Sequence, residues 1–200
     1  WDFYGNQNYG YSRIGLADQD GDGNDEIFAC GNNTIQVWDV ETQSEKYSMA
    51  ADIDPLAFYL ADTDDDGIKE LYYGEADWGN VYCRLTTTGE VLWSRNYGHG
   101  GLNCLATGNV DDEPAKEIIW AIAHGSTGED YLYTFDPGTQ EQEWQSESVN
   151  GPFEKIQVFD VDNDGIEELI TLAPGTSNYY NQSQVSFWDP YTHEQEWKSP

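Results

Sequence analysis

The chain has 200 residues, enough for one domain with a sizeable core, and 38 acidic residues against 8 lysines and arginines give a net charge of −30. Such a surface repels nucleic acids and anionic membranes, which bind proteins through cationic side chains. No apolar run is long enough to span a membrane, and the lack of an initiator Met and a signal peptide suggests a mature or excised segment.

Aromatic residues make up 14% of the chain, and Gly, Asn and Asp interrupt the apolar runs, which predicts many short β-strands. In chain order the pattern repeats as strand A, an Asp-rich loop, strand B, strand C and strand D. Strands A and B are predicted at 14–17 and 26–30, 57–61 and 70–73, 102–106 and 117–123, and 156–159 and 168–172. Strands C are predicted at 35–38, 81–85, 131–135 and 185–188, and each strand D contains an aromatic residue: Tyr47, Trp93, Trp144 and Trp197.

The Asp-rich loops start at residues 18, 62, 109 and 160, so the repeats are 44, 47 and 51 residues long, as expected for four-stranded propeller blades. We therefore predict an all-β, β-propeller-type array in one domain over 1–200, with approximate blades 1–47, 48–93, 94–144 and 145–200. The recurring Trp93, Trp144 and Trp197 are expected to pack between blades. Length varies only in the B–C connection, so the variable loops should lie on the face opposite the Asp-rich loops.

The loops carry acids at positions 1, 3 and 5, Gly at 6 and Glu at 9, like the first half of an EF-hand loop. Alternate side chains of such a turn converge on one point, and hard oxygen ligands suit Ca²⁺ or, less often, Mg²⁺. Four carboxylates held this closely would repel one another without a cation. The predicted ligands, counting the position 7 carbonyls, are Asp18, Asp20, Asp22, Asn24 and Glu26; Asp62, Asp64, Asp66, Ile68 and Glu70; and Asp160, Asp162, Asp164, Ile166 and Glu168.

The third loop departs from this pattern because Asn109 replaces the first Asp, Glu113 the third, and Pro114 the Gly, while Asp111 and Glu117 remain. It is expected either to bind metal weakly or to be held by its proline without metal. The sequence thus predicts three complete calcium sites and a fourth, degenerate one.

These loops resemble those of the FG-GAP/VCBS repeat family, in which Asp-x-Asp-x-Asp-Gly-x-x-Glu-Leu/Ile follows strand A. Integrin α-subunit propellers and many secreted microbial proteins contain such repeats. The resemblance covers nearly the whole chain and implies a β-propeller, structural Ca²⁺ and an extracellular or cell-surface setting. Relatives serve as adhesion domains, lectins and scaffolds of polysaccharide-degrading enzymes, so the resemblance alone does not fix the function.

The B–C loops hold aromatic side chains beside amides, which suit recognition of sugar or protein, although self-packed loops would look the same. The candidate ligand-binding residues are Trp78, His124, Tyr179 and Tyr180, and the glycosylation sequons begin at Asn32 and Asn181. Glycans there would mask this face.

Three cysteines, Cys30, Cys83 and Cys104, are read as buried thiols or as one bridge and a spare thiol. No catalytic residue is predicted, since no nucleophile is spaced to pair with a histidine. The expected function is a non-catalytic extracellular module for adhesion or for recognising carbohydrate or protein. Two alternatives remain: a filament or surface-layer subunit assembled through blade ends, and a scaffold fragment of a polysaccharide-degrading enzyme.

Overall fold

The computed structural model describes residues 12–31, 33–51, 55–75, 79–97, 100–111, 113, 115–123, 130–148, 152–161, 163, 166–173, 183–189 and 191–200. No helix in these ranges is long and apolar enough to cross a membrane.

The described residues form four antiparallel sheets, each built from four strands that are consecutive in the chain. The first sheet contains β1 (Arg13–Ala17), β2 (Glu26–Gly31), β3 (Thr34–Asp39) and β4 (Ser44–Ala50). The second contains β5 (Pro55–Ala61), β6 (Glu70–Glu75), β7 (Asn80–Leu85) and β8 (Val91–Asn96). The third contains β9 (Gly101–Gly108), β10 (Glu117–Ala123), β11 (Tyr131–Asp136) and β12 (Glu141–Gln145), and the fourth β13 (Lys155–Phe159), β14 (Glu168–Ala173), β15 (Gln184–Trp188) and β16 (Gln195–Lys198). Every predicted strand is present, and most extend one or two residues beyond the prediction.

Residues 1–98 form one compact unit that contains the first two sheets. Its core holds Phe28, Val37, Leu71 and Tyr73, contributed by both sheets. The buried Arg84 links the sheets: its guanidinium donates to the Tyr73 hydroxyl (2.8 Å), the Gly89 carbonyl (2.9 Å) and the Ala50 carbonyl (3.0 Å). These contacts fix the second sheet against the end of β4.

Residues 99–200 form the second compact unit, with the third and fourth sheets packed around one core. The two sheets approach closely at Gly108, where a Cβ would lie 2.4 Å from Cγ1 of Val158. Trp144 of β12 meets the ring edge of Trp188 at 6.4 Å and stacks on His193 at 4.4 Å, both in the following sheet. This confirms the predicted packing role for Trp144.

The other strand D aromatics make varied contacts. The hydroxyl of Tyr47 contacts the Thr86 carbonyl of the second sheet. Trp93 is buried against Tyr72 of its own sheet, with ring centroids 5.9 Å apart. Trp197 is exposed and touches Phe187 of its own sheet. Tyr47 thus reaches the following sheet, as Trp144 does, whereas Trp197 is exposed.

Each fourth strand carries a β-bulge at the same place. In the first sheet Tyr47 pairs with Val37 and Glu45 pairs with Trp38, so Lys46 is the extra residue of the bulge. The same shift in register occurs in the other three sheets. The extra residue always precedes the strand D aromatic, and the four bulge residues are Lys46, Leu92, Glu143 and Glu196.

All three cysteines are buried free thiols, which confirms the buried-thiol interpretation. Burial raises the pKa of the Cys83 and Cys104 thiols to about 12, since the thiolate would lose its hydration.

Candidate metal sites

A buried glutamate closes each of the four Asp-rich loops. The position 9 acid is the first residue of the second strand in every sheet, and its side chain is 1 to 8% exposed. Its Oε2 accepts a hydrogen bond from the backbone N–H of loop position 2. The four pairs are Glu26 with Gln19 (2.9 Å), Glu70 with Thr63 (3.1 Å), Glu117 with Val110 (2.8 Å) and Glu168 with Val161 (2.8 Å). One carboxylate oxygen of each predicted glutamate ligand thus holds the loop to its own strand.

The second loop gathers three aspartates around one point. Carboxylate oxygens of Asp62, Asp64 and Asp66 lie within 4.8 Å of one another. Backbone amides orient them: the Gly67 N–H donates to Asp62 Oδ2 (3.0 Å), and the Ile68 N–H donates to Asp66 Oδ1 (2.7 Å). Gly67 has φ = 90°, the left-handed conformation that its place in the motif requires.

The second loop also contains an unsatisfied oxygen. Oδ1 of Asp62 is buried and has no hydrogen-bond partner among the residues that the structure describes. A buried carboxylate oxygen without a partner lowers the stability of the folded state, because the oxygen has lost its hydration and no hydrogen bond or cation replaces it. A hard cation held by Asp62, Asp64 and Asp66 would supply that partner. The residues of this loop therefore fit a calcium ion.

The first loop has the same backbone frame. Oδ1 of Asp18 accepts from the Gly21 N–H (2.8 Å), and Oδ2 accepts from the Gly23 N–H (2.9 Å). Oxygens of Asp18, Asp20 and Asp22 again lie within 4.8 Å of one another. The predicted aspartate ligands of loops one and two are therefore brought together as three-carboxylate groups.

A lysine enters the first loop from strand β4. Nζ of Lys46 lies 2.6 Å from Asp20 Oδ2 and 2.9 Å from Glu26 Oε1. The hydrogen bond to Asp20 is the main cause of a raised pKa for Lys46 and, on the other side of the pair, of a lowered pKa for Asp20. Part of the negative charge of this loop is thus balanced from within the protein.

The third loop is closed by the side chain of Asn109. Its Nδ2 donates to the Glu113 carbonyl (2.7 Å), and the Glu113 N–H donates to Asp111 Oδ1 (2.7 Å). An aspartate at position 1 could not make the first of these bonds, because a carboxylate has no donor. Asn109 thus makes a contact across the loop that does not depend on a metal.

An acid from a neighbouring strand, which sequence reasoning missed, lies beside the third loop. Glu143 of β12 brings a carboxylate oxygen within 4.8 Å of those of Asp111 and Glu117, whereas the exposed Glu113 is not part of this group. Burial, with the nearby charge of Asp111, raises the pKa of Glu117 and of Glu143 to about 7. Glu143 lies 26 residues beyond Glu117 and reaches the loop through the bulge of its strand, so the loop motif gave no signal for it.

Only part of the fourth loop is described. Oδ1 of Asp160 accepts from the Asn163 N–H (2.6 Å), and Glu168 makes the loop-closing bond given above. Ile166 is half-buried, whereas Asp162 and Asp164 lie outside the described residues. The predicted ligand and glycosylation residues of the B–C loops, Trp78, His124, Tyr179, Tyr180, Asn32 and Asn181, also lie outside them.

Comparison with known proteins supports the fold alone. No protein family and no curated protein matches the chain. Among solved structures, the biofilm matrix protein Bap1 of V. cholerae superposes with a TM-score of 0.67 at 20% identity, over 93% of this chain and 28% of Bap1. Sqt1 of Saccharomyces cerevisiae superposes with a TM-score of 0.71 at 13% identity, over 94% of this chain and 48% of Sqt1.

The Dos1 propeller gives a TM-score of 0.65 at 18% identity, over 94% of this chain and 46% of Dos1. The chain therefore spans less than half the length of these three proteins. The four consecutive four-stranded antiparallel sheets, together with these similarities, show a β-propeller fold.

Proposed function

We propose that this chain is a non-catalytic, calcium-stabilised propeller module of the FG-GAP/VCBS type, which acts in adhesion or in recognising carbohydrate or protein outside the cell. The observation that carries the proposal is the buried, unpartnered Oδ1 of Asp62, which belongs to a group of three aspartates. A calcium ion would neutralise this group and link Asp62, at the start of the loop, to Asp64 and Asp66 in the turn. The role of the ion would be structural, because the loop connects two strands of one blade.

The distribution of carboxylates supports a structural role for the acids. In the part of the chain that the structure describes, each close group of three acids includes residues of an Asp-rich loop. The glutamates of these loops are further committed to backbone hydrogen bonds. Acids engaged in this way hold the blade together and are poorly placed to exchange protons with a substrate.

Two further observations favour an extracellular setting. Extracellular modules typically bind calcium with dissociation constants of about 10⁻⁴ to 10⁻³ M. A net charge of −30 suits a protein that keeps several divalent ions bound. One of the similar structures is a biofilm matrix protein. Carbohydrate and extracellular protein are the partners that this setting favours.

The test is a set of thermal melts of the full chain in EDTA, in calcium and in magnesium. We expect calcium to raise the melting temperature by several degrees and magnesium to raise it less, since Mg²⁺ demands near-octahedral geometry and gives up its water reluctantly. Melting that is the same with chelator and with excess calcium would refute the metal assignment. A glycan array and an adhesion assay, run with and without calcium, then address the partner.

Exposed apolar side chains favour one alternative, a filament or surface-layer subunit that assembles through blade ends. Ile14 and Leu16 of β1 are 70% and 51% exposed, and Phe159 and Trp197 of the fourth sheet are 64% and 47% exposed. Such residues would be covered if sheets of neighbouring molecules packed on them. Light scattering over a range of concentrations tests this, and a monomer at every concentration rules it out.

A further inference from the structure

The bulge in each fourth strand places one side chain at an equivalent position in all four sheets. A bulge leaves one residue out of the ladder and turns its side chain away from the regular alternation. The bulge residue is cationic in the first sheet, apolar in the second and acidic in the third and fourth: Lys46, Leu92, Glu143 and Glu196.

In the first and third sheets the bulge residue lies beside the same two loop positions. Lys46 binds Asp20 and Glu26, which are positions 3 and 9 of the first loop. Glu143 groups with Asp111 and Glu117, which are positions 3 and 9 of the third loop. One structural position thus presents opposite charges to equivalent carboxylates.

The contact of Lys46 is specific. The neighbouring acid in β4, Glu45, accepts a hydrogen bond from Gln36 Nε2 (2.9 Å), so it has its own partner within the sheet. The lysine side chain is only 22% exposed, and its Nζ is between the loop carboxylate and the carboxylate that closes the loop. An ammonium there satisfies oxygens that a calcium ion would otherwise attract.

We propose that the bulge residue sets how strongly the first and third loops take up calcium: Lys46 is a built-in cation that competes with the metal in the first loop, and Glu143 is an added ligand in the third. This rests on the proposed calcium binding. Glu143 restores to the third loop the carboxylate that it lacks at Asn109. The loops therefore differ in affinity in a way that the Asp-rich motif alone does not show.

Lys46 and a calcium ion would compete for Asp20 because both are cations that bind the same carboxylate. A calcium ion bound by Asp20 would stand next to the ammonium, so Lys46 must give up two charge-assisted hydrogen bonds and swing towards solvent. Its flexible stem allows that movement, at a cost to calcium affinity. Each such bond is worth enough to change a dissociation constant by roughly tenfold.

The experiment is a calorimetric calcium titration of the full chain, paired with melting curves in EDTA. The variants are Lys46→Met, its charge-matched control Lys198→Met on the exposed strand β16, and the reciprocal change Glu143→Lys. Lys46→Met in an Asp18→Asn background assigns any gain in affinity to the first loop.

We expect Lys46→Met to tighten one calcium site by about tenfold or more and to lower the melting temperature in EDTA, where Asp20 and Glu26 lose the ammonium that balances them. Lys198→Met should stay within about twofold of the wild type, the range of ordinary surface substitutions. Glu143→Lys should melt higher than the wild type in EDTA and should gain less from calcium.

Two results overturn the proposal in distinguishable ways. If the wild type binds calcium and Lys46→Met binds it with unchanged affinity, the role of the bulge residue is wrong and the calcium module stands. If no variant, wild type included, binds or is stabilised by calcium, the proposed function fails and this inference fails with it.

Discussion

Changing Asp62 to Asn separates the two contributions that this residue makes to stability. The amide keeps an oxygen that can accept the Gly67 hydrogen bond, but it removes the negative charge from the three-aspartate group. Without metal, that charge repels two neighbouring carboxylates, and its buried Oδ1 has no hydrogen-bond partner among the described residues. With metal, the same charge is a ligand. The substitution should therefore have opposite effects in EDTA and in calcium.

The separation of the oxygens gives the scale of the effect. The oxygens lie within 4.8 Å of one another, and at that limit two unit charges repel by about 1 kcal/mol in water and by about 3.5 kcal/mol at the effective dielectric constant of a protein surface. Because Asp64 and Asp66 are exposed, the lower value applies, and removing two such repulsions yields about 2 kcal/mol. Weakening the charge-assisted bond from Gly67 offsets about half of this. The net gain in EDTA is about 1 kcal/mol, or roughly 2 to 4 °C in melting temperature.

In calcium the sign reverses. A ligand at about 100 times its dissociation constant stabilises the folded state by about 2.7 kcal/mol. A variant that no longer binds at this loop loses that amount, which corresponds to roughly 5 to 10 °C for a chain of this size. The melting curves of the wild type and Asp62→Asn should therefore change order between the two buffers.

The assay is circular dichroism melting of both proteins in EDTA and in millimolar calcium. The control is Asp65→Asn, the same chemical change at position 4 of the same loop, where the residue is exposed, has φ = 58° and is not part of the three-aspartate group. Asn adopts that left-handed conformation readily, so the control should keep its full calcium gain. If Asp62→Asn is the less stable protein in both buffers by the same amount, the repulsion argument is refuted.

Three further predictions concern the scaffold. Gly108→Ala should cost about 1 to 3 kcal/mol of unfolding free energy, because the added methyl meets the branch point of Val158; Gly15→Ala, which meets a terminal methyl group, should cost less in the same urea titration. Arg84→Met should cost several kcal/mol, because each buried oxygen that loses its charged donor costs about 1 to 3 kcal/mol, and a loss within 1 kcal/mol would contradict the linking role of this residue. The three buried thiols should resist a thiol reagent in the folded protein and react fully in guanidinium; fast labelling of the native chain would contradict their burial.

The strand pattern could be predicted from sequence because each strand is bounded by residues with strong local preferences. The strand before the second loop, for example, ends at Ala61, and the Asp-x-Asp-x-Asp-Gly run that follows cannot continue it. The next strand begins at Glu70, as predicted, because the motif places its acid at the first residue of the returning strand. Local chemistry was sufficient for the fold.

The composition of the sites was less predictable. The loop motif located the aspartates, but it did not indicate that Glu26 and its counterparts bind a backbone amide at position 2. Neither Lys46 nor Glu143 belongs to the motif, and both reach the loops only because a bulge alters the register of the fourth strand. Contacts across a sheet depend on such register shifts, which a single sequence does not reveal.

The glutamate that closes each loop has a consequence for how such repeats can diverge after duplication. Because Glu117 binds the Val110 amide without help from a metal, the third repeat keeps the contact that ties its loop to strand β10 without a bound ion. A copy of the repeat can therefore accumulate substitutions at positions 1 and 5, as Asn109 and Glu113 illustrate, while its blade persists. The loop-closing glutamate is thus the part of each Asp-rich loop that also serves the blade when no metal is bound.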